Sequence, residues 1–134
     1  MNKTRVTEQT YSMQEIREAT GLTQDTLRFY EKDGILADIF RLPNGHRQFS
    51  FHDLDWLKFV VCLRTIGMPL KDIRLYRELT ESGDDTIEER KDLLKAQKDK
   101  LTHEIEDLQT ALQKIKFKID NYEAIIREDC SIEF

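Results

Sequence analysis

The sequence predicts a mainly α-helical protein in which short helices and one β-hairpin precede a single long helix. Helix breakers are scarce, because the 134 residues include only 5 Gly and 2 Pro while 35% are charged, a composition typical of solvated helices. Asn44-Gly45 lies between two apolar segments, which is typical of a hairpin turn. After Gly83 neither Gly nor Pro occurs, and apolar residues recur every seven positions, as in a helix that pairs with another helix.

Two short helices are predicted near the start of the chain. Residues 1–10 are polar, and we expect them to be flexible. Ser12 and Glu15 have the spacing of a capping box, which predicts the start of the first helix. Thr23 is expected to cap the second helix and Gly34 to end it. Two short helices joined by a glycine turn form a helix-turn-helix pattern.

A β-wing and two more helices are expected next. Phe40 and Phe49 suit short strands, and Asn44-Gly45 predicts a two-residue turn with positive φ between them. The segment 51–66 is apolar over most of its surface, which predicts a buried central helix.

A further helix begins after Pro69, a residue suited to the first helical position. The polar segment 81–86 is the expected linker, so the head is predicted to span residues 11–80.

The segment 87–126 predicts a coiled-coil dimerisation helix followed by a tail at 127–134. Roughly 40 residues at 1.5 Å each give a helix of about 60 Å. Two seven-residue apolar series interleave along it, as the a and d positions of a coiled coil do. A head of this size cannot bury such a long stripe, so a partner helix is needed. The predicted seam consists of Leu94, Leu101, Ile105, Leu108, Leu112, Ile115, Ile119 and Tyr122.

The net charge of −5 argues at first against a nucleic-acid partner. The charges are unevenly distributed, however. Residues 1–80 contain 12 basic and 11 acidic residues, a net +1, whereas residues 81–134 contain 9 and 15, a net −6. The acidity therefore belongs to the long helix, and the head remains able to bind DNA.

Membrane, metal and cofactor roles find no support in the sequence. No stretch approaches 18 consecutive apolar residues, and the N-terminus has no apolar signal-peptide core. We therefore expect a cytoplasmic protein with no membrane partner. Cys62 and Cys130 lie far apart and form neither a disulfide framework nor a metal site within one chain. No metal and no cofactor are expected.

The head resembles the MerR family of bacterial transcription regulators. Residues 26–36, Thr-Leu-Arg-Phe-Tyr-Glu-Lys-Asp-Gly-Ile-Leu, are similar to the family's recognition-helix signature, and residues 44–49 resemble its wing. Gly67-Met68-Pro69-Leu70 resembles the turn within its second helix pair. The resemblance extends over about residues 11–126. Phe29 and His46 depart from it, since each replaces a common tyrosine.

The resemblance implies a winged helix-turn-helix DNA-binding head and a homodimer joined by an antiparallel coiled coil. It also implies binding to double-stranded promoter DNA at an inverted repeat. In that family the bound DNA is bent and untwisted between promoter elements, and RNA polymerase is the further partner.

The residues expected to contact DNA lie on the first two helices and the wing. An α-helix enters the major groove with its N-terminal side chains near base edges, and Gln24 suits an adenine edge. Asp25 could accept from a cytosine or cap the helix, and capping is favoured. Arg28 is expected at a phosphate or a base, with a surface salt bridge to Glu31 as the alternative. For Tyr30, core packing and DNA contact are equally favoured. The full set is Tyr11, Ser12, Thr23, Gln24, Thr26, Arg28, Phe29, Tyr30, Arg41, Asn44, His46 and Arg47.

Cys62 is the candidate effector site. The surrounding segment resembles a MerR subgroup that responds to aldehydes and other electrophiles through one cysteine in this helix. Lys58 lies one helical turn earlier, and a nearby cation favours the reactive thiolate. The alternatives are an inert buried cysteine, a metal effector or no effector. The resemblance implies that a metal sensor has a cysteine near the start of the dimerisation helix. Residues 82–89 contain no cysteine, so a metal effector is less well supported.

Functions outside regulation fit the sequence less well. An enzyme needs converging acid, base or nucleophilic groups, but the carboxylates are spread over helix surfaces and the histidines are isolated. A coiled-coil adaptor without specific DNA binding accounts for residues 87–126 but not for the wing.

Overall fold

The computed structural model describes residues 9–37 and 39–128 of the chain. The chain divides into two units with a boundary between Leu93 and Leu94, and we call these the head and the arm. In chain order the elements are β1 (Thr10–Ser12), α1 (Met13–Thr20), α2 (Gln24–Asp33), β2 (Phe40–Arg41), β3 (Arg47–Ser50), α3 (Phe51–Thr65), α4 (Leu70–Ser82), a 3-10 turn (Asp84–Thr86) and α5 (Ile87–Glu128). Among the described residues, no helix is both long and apolar enough to cross a membrane.

The ends of the first two helices confirm the helix-turn-helix prediction. The Ser12 hydroxyl accepts from the Glu15 N–H at 3.1 Å, and the Glu15 carboxylate accepts from the Ser12 N–H at 2.8 Å. The Thr23 hydroxyl caps α2 by accepting from the Thr26 N–H at 3.1 Å. Gly34 ends α2 in the left-handed region at φ 90°, a conformation that glycine adopts without steric cost.

The wing belongs to a three-stranded antiparallel sheet of order β1-β3-β2. The sequence does not predict β1, in which Thr10 pairs with Ser50. The predicted flexible segment therefore includes a residue that lies in a strand, whereas residues 1–8 lie outside the described part of the chain.

The two-residue turn predicted for the hairpin is wrong. The Leu42 carbonyl accepts from the Gly45 N–H, and the Leu42 N–H donates to the His46 carbonyl, both at 2.8 Å. These bonds enclose a loop of three residues, 43–45. Such a loop needs one residue with positive φ, and Gly45 supplies it at 90°.

The head has a core formed by its helices and the central strand. Ile16, Leu27, Phe49, Leu57 and Ile73 are almost fully buried. They come from α1, α2, β3, α3 and α4, so every one of these elements contributes to one core.

The central helix α3 is buried on one face only. Its buried residues Leu54, Leu57, Val60 and Leu63 recur every third position, which forms a single stripe along a helix. Cys62 lies off this stripe and is exposed. The prediction that α3 is buried over most of its surface is therefore wrong within one protomer.

The segment predicted as a linker, 81–86, is largely helical. Residues 81 and 82 belong to α4, and a 3-10 turn follows Gly83. Thr86 is buried, and its hydroxyl donates to the carbonyls of Leu79 at 2.6 Å and Gly83 at 2.8 Å. Arg90 of α5 donates to the Thr86 hydroxyl at 3.0 Å. These bonds tie the end of α4 to the first turn of α5.

None of the residues of the arm up to Glu128 is buried. Of the predicted seam, Leu94 and Leu101 are half-buried, while Leu108 is 70% exposed. Ile105, Leu112, Ile115, Ile119 and Tyr122 are exposed as well. α5 continues two residues beyond the predicted helix, through Glu128, and the rest of the predicted tail lies outside the described residues.

Candidate nucleic-acid interface

A cavity of about 580 Å³ lies where α1, the start of α2 and the wing come together. We call it the basic groove. Among its described lining residues none is acidic and three are arginines, so its charge suits a polyanion. The lining consists of Ser12, Met13, Gln14, Arg17, Gln24, Arg28, Gly45, His46 and Arg47.

The start of α2 presents one polar and one basic side chain to this groove. Gln24 is the first residue of α2 and is half-buried. Arg28 lies one turn later with its side chain 55% exposed, and it approaches Asp25 at 3.9 Å. The alternative pairing of Arg28 with Glu31 is therefore wrong. Asp25 is not the predicted cap, because Thr23 occupies that position and the Asp25 side chain is almost fully exposed.

The wing arginines converge on one carboxylate of α2. The Nε atom of Arg47 donates to Oε1 of Glu31 at 2.8 Å, and an Nη atom of Arg41 lies 3.7 Å from the same oxygen. The side chains of Arg47 and Glu31 are only 18% and 17% exposed. The sequence does not reveal this pairing, since the residues lie 16 positions apart.

The tip of the wing is fixed by its own hydrogen bonds. The Asn44 side-chain oxygen accepts from the His46 N–H at 3.0 Å, so Asn44 shapes the turn. Arg41 donates to the Gly45 carbonyl at 3.3 Å. The His46 side chain is left exposed at the rim of the basic groove.

The groove combines predicted residues with two polar side chains that the sequence interpretation missed. The predicted residues that line it are Ser12, Gln24, Arg28, His46 and Arg47. The missed pair is Gln14 and Arg17, which are exposed on α1. Residues three apart share a helical face, so the spacing of Gln14 and Arg17 around buried Ile16 is the signal that points to them.

Other predicted contact residues lie outside the groove lining. Tyr11 is half-buried and pairs with Phe49 in the sheet. Thr23 donates to the hydroxyl of Thr26 at 2.9 Å within the cap. Phe29 is 47% exposed and lies on α2 outside the groove lining.

Tyr30 is a core residue, with 5% of its surface exposed. Burial raises the pKa of its phenol above the ordinary value, and the nearby charge of Arg64 partly opposes that shift. Of the two roles left open for Tyr30, the structure favours core packing.

An aromatic cluster joins α3 and α4 on the head. The rings of Trp56 and Tyr76 stack with centroids 6.0 Å apart, and the guanidinium of Arg77 lies 5.3 Å above Trp56. The Trp56 indole also donates to the Ile35 carbonyl at 2.7 Å. This bond links α3 to the segment that follows the recognition helix.

Family comparisons identify the architecture. Residues 11–80 match the family model described as MerR HTH family regulatory protein. The chain belongs to the MerR family. Residues 54–116 also match the model described as MerR, DNA binding. This MerR-family chain is therefore a DNA-binding transcriptional regulator and not an enzyme.

Two curated relatives extend over much of the chain. An uncharacterized HTH-type transcriptional regulator of Haemophilus influenzae is 40% identical over 114 residues, which cover 85% of this chain and 84% of the relative. The HTH-type transcriptional regulator AdhR of Bacillus subtilis is 35% identical over 81 residues, which cover 60% of this chain and 58% of AdhR.

Solved structures agree with the fold of this MerR-family chain. HiNmlR, a MerR family regulator lacking the sensor domain and bound to promoter DNA, is similar with a TM-score of 0.80 and 37% identity. The match covers 90% of this chain and 92% of HiNmlR. A MerR family regulator from Bacillus thuringiensis matches with a TM-score of 0.72 and 31% identity, over 85% of this chain and all of that one.

Proposed function

We propose that this MerR-family regulator binds promoter DNA as a homodimer and responds to an electrophile through Cys62. The basic groove is the observation that carries the DNA-binding part of the proposal. The groove combines a helix start with a wing, which is the combination that a winged helix-turn-helix uses to contact a duplex. HiNmlR, a relative of matching fold, is bound to promoter DNA.

Base reading and phosphate contact are assigned to different residues of the groove. Gln24, at the start of α2, presents an amide that pairs with the edge of an adenine. Arg17, Arg28 and Arg47 are assigned to phosphates, which position the protein without reading sequence. His46 at the wing tip is assigned to a contact with the DNA backbone.

The homodimer is proposed because the arm leaves a long apolar stripe exposed. Soluble monomers rarely expose large contiguous apolar patches, and a second arm covers such a stripe by seam pairing. Two identical heads then favour an inverted-repeat operator. Following the family resemblance, we propose that the bound dimer distorts the DNA between promoter elements for RNA polymerase, so that DNA deformation energy forms part of the switch.

Cys62 is proposed as the sensor because its thiol is accessible on α3. An aldehyde is the simplest electrophile for this site. The sulfur forms a bond to the carbonyl carbon, the carbonyl π bond breaks, and its oxygen takes a proton to give a thiohemiacetal. Among the described residues, no cluster of three His, Cys, Asp or Glu is arranged to hold a metal ion, so a metal effector has less support.

The connection of α3 to the wing supports this sensor. The wing strand β3 ends at Ser50 and α3 begins at Phe51. The Ser50 hydroxyl accepts from the Asp53 N–H at 3.1 Å, which fixes the junction. A displacement of α3 by an adduct therefore moves the wing strand directly, and with it Arg47 in the basic groove.

The DNA-binding proposal is tested with Arg47→Ala. Losing one phosphate contact weakens binding to every sequence and makes the plot of log affinity against log salt shallower by about 0.9. Fluorescence anisotropy with a promoter duplex and a shuffled duplex, at several salt concentrations, measures both effects. Lys71→Ala is the matched control, because Lys71 is an exposed cation on α4 outside the groove lining. An unchanged slope for Arg47→Ala removes Arg47 from the phosphate contacts.

A further inference from the structure

We propose that Glu31 is a positioning residue for DNA binding, holding Arg47 so that one guanidinium bridges α2 and a DNA phosphate. This inference rests on the proposed DNA-binding function of the basic groove and assigns a role to an acidic residue outside its lining. Glu31 lies on α2, while Arg47 lies on the wing strand β3 and lines the groove. The pair therefore joins two separate DNA-binding elements.

The contact between Glu31 and Arg47 involves the Nε atom of an arginine that lines the groove. Glu31 takes the Nε of Arg47 at 2.8 Å. A guanidinium has five N–H donors in one plane, so four remain on the two terminal nitrogens. Those nitrogens match the spacing of two phosphate oxygens. Because the Arg47 side chain is only 18% exposed, it has few rotamers to lose when the phosphate binds.

Glu31 also offsets a repulsion within the wing. Arg41 and Arg47 are directly opposed in the register of β2 and β3, and like charges in opposed positions destabilise a sheet. One oxygen of Glu31 lies 2.8 Å from Arg47 and 3.7 Å from Arg41. The three side chains retain a net charge of +1, which still attracts a phosphate.

An arginine is required for this bridge. A lysine has a single nitrogen at its tip, and an ion pair with Glu31 would draw that nitrogen away from the DNA. The effects of Glu31→Gln and Arg47→Lys on DNA affinity are therefore expected to depend on each other. Neutralising Glu31 harms a protein that has arginine at position 47, because the guanidinium is held less firmly. The same change helps a protein that has lysine there, because the ammonium is released.

The experiment compares four full-length proteins: the wild type, Glu31→Gln, Arg47→Lys and the double variant. Anisotropy with the promoter duplex gives each dissociation constant. We expect Glu31→Gln to weaken binding roughly 3-fold to 10-fold, the range for one hydrogen bond. We expect Arg47→Lys to weaken it by about 10-fold or more, as loss of a bidentate contact implies. The double variant is expected to bind several-fold more tightly than Arg47→Lys alone.

Asp33→Asn is the control for a purely structural role. It weakens the ion pair between Asp33 and Arg74, at 2.7 Å, which lies at the last residue of α2 and outside the groove lining. We expect Asp33→Asn to lower the melting temperature and leave DNA affinity unchanged. For Glu31→Gln we expect the reverse, a clear loss of DNA affinity with a smaller change in melting temperature.

The outcomes separate this inference from the function on which it rests. A wild-type protein that fails to bind the promoter duplex contradicts the proposed function. If the wild type binds but Glu31→Gln strengthens binding, Glu31 is not a positioning residue. The same holds if Glu31→Gln changes DNA affinity equally with arginine and with lysine at position 47. If the loss of DNA affinity parallels the loss of melting temperature in all variants, the positioning role of Glu31 is also contradicted.

Discussion

The head and the arm use apolar residues in opposite ways. The head buries its own, with Ile16, Leu57 and Ile73 fully enclosed within one protomer. None of the described residues of the arm is buried, and Leu108 is 70% exposed. Both regions have a regular helical pattern of apolar residues. The pattern alone therefore specifies which face is apolar, and in the described part of the chain only the head covers that face with its own residues.

The largest loss of unfolding free energy is expected for Leu57→Ala, which tests the buried core of the head. Leu57 is 0% exposed, and truncating a buried leucine costs about 2–5 kcal/mol of unfolding free energy. Urea unfolding followed by the fluorescence of Trp56, the single tryptophan, measures the loss. Leu75→Ala, at a leucine 42% exposed on α4, is the control and is expected to cost less. Equal costs would show that the head core is not centred on α3.

The arm is expected to respond differently to Leu108→Asp. A carboxylate buried in the proposed seam costs about 3 kcal/mol or more, which corresponds to a dimer dissociation constant raised roughly a hundredfold. Sedimentation at low micromolar concentration measures it, and the unfolding midpoint of the head, reported by Trp56, should change far less. Gln109→Asp adds the same charge at the neighbouring exposed position outside the seam. An intact dimer for Leu108→Asp shows that the seam is assigned wrongly.

Local patterns predicted the parts of the head that depend on neighbouring residues. The caps at Ser12 and Thr23 were predictable because donor and acceptor lie within one helical turn. The strand β1 was missed because it exists only by pairing with β3, in which Thr10 lies opposite Ser50, far along the chain. Three residues contain too little pattern to specify a strand on their own.

The basic groove was only partly predictable, because some of its features depend on contacts between residues distant in the sequence. Arg28 and Arg47 carried recognisable chemistry in the sequence, and the groove contains both. The pairing of Glu31 with Arg47 was missed because the wing folds back onto α2. The exposure of Cys62 depended on the exact phase of the buried stripe along α3, which an apolar segment leaves ambiguous.

A smaller effect, limited to the head, is expected for Gln24→Ala. Removing a bidentate contact to one base costs about 1–3 kcal/mol of discrimination at that base pair. Competition binding with promoter duplexes changed at single positions measures it, and dimerisation through the arm should not change. Asp25→Asn, at the neighbouring exposed residue, is the control. A uniform loss across all duplexes would make Gln24 a backbone contact.

The smallest effect on folding is expected for Cys62→Ser, although its effect on regulation is large. Exposed positions tolerate substitution within about 0.5 kcal/mol, so the variant should fold, dimerise and bind DNA as the wild type does. A hydroxyl is far less nucleophilic than a thiolate, so induction by formaldehyde should be lost. Cys130→Ser is the thiol control, at a position outside the described residues, and is expected to remain inducible.

In vitro transcription with each cysteine variant, with and without formaldehyde, decides whether the head contains the sensor. An adduct on Cys62 affects the basic groove only if moving α3 also moves the wing strand β3, which ends where α3 begins. Loss of induction in Cys62→Ser, with DNA affinity retained, places the sensor on the head. Full induction of Cys62→Ser together with loss in Cys130→Ser would assign the sensor to Cys130. Full induction of both variants would contradict a thiol sensor and leave a DNA-binding regulator that responds to a different signal.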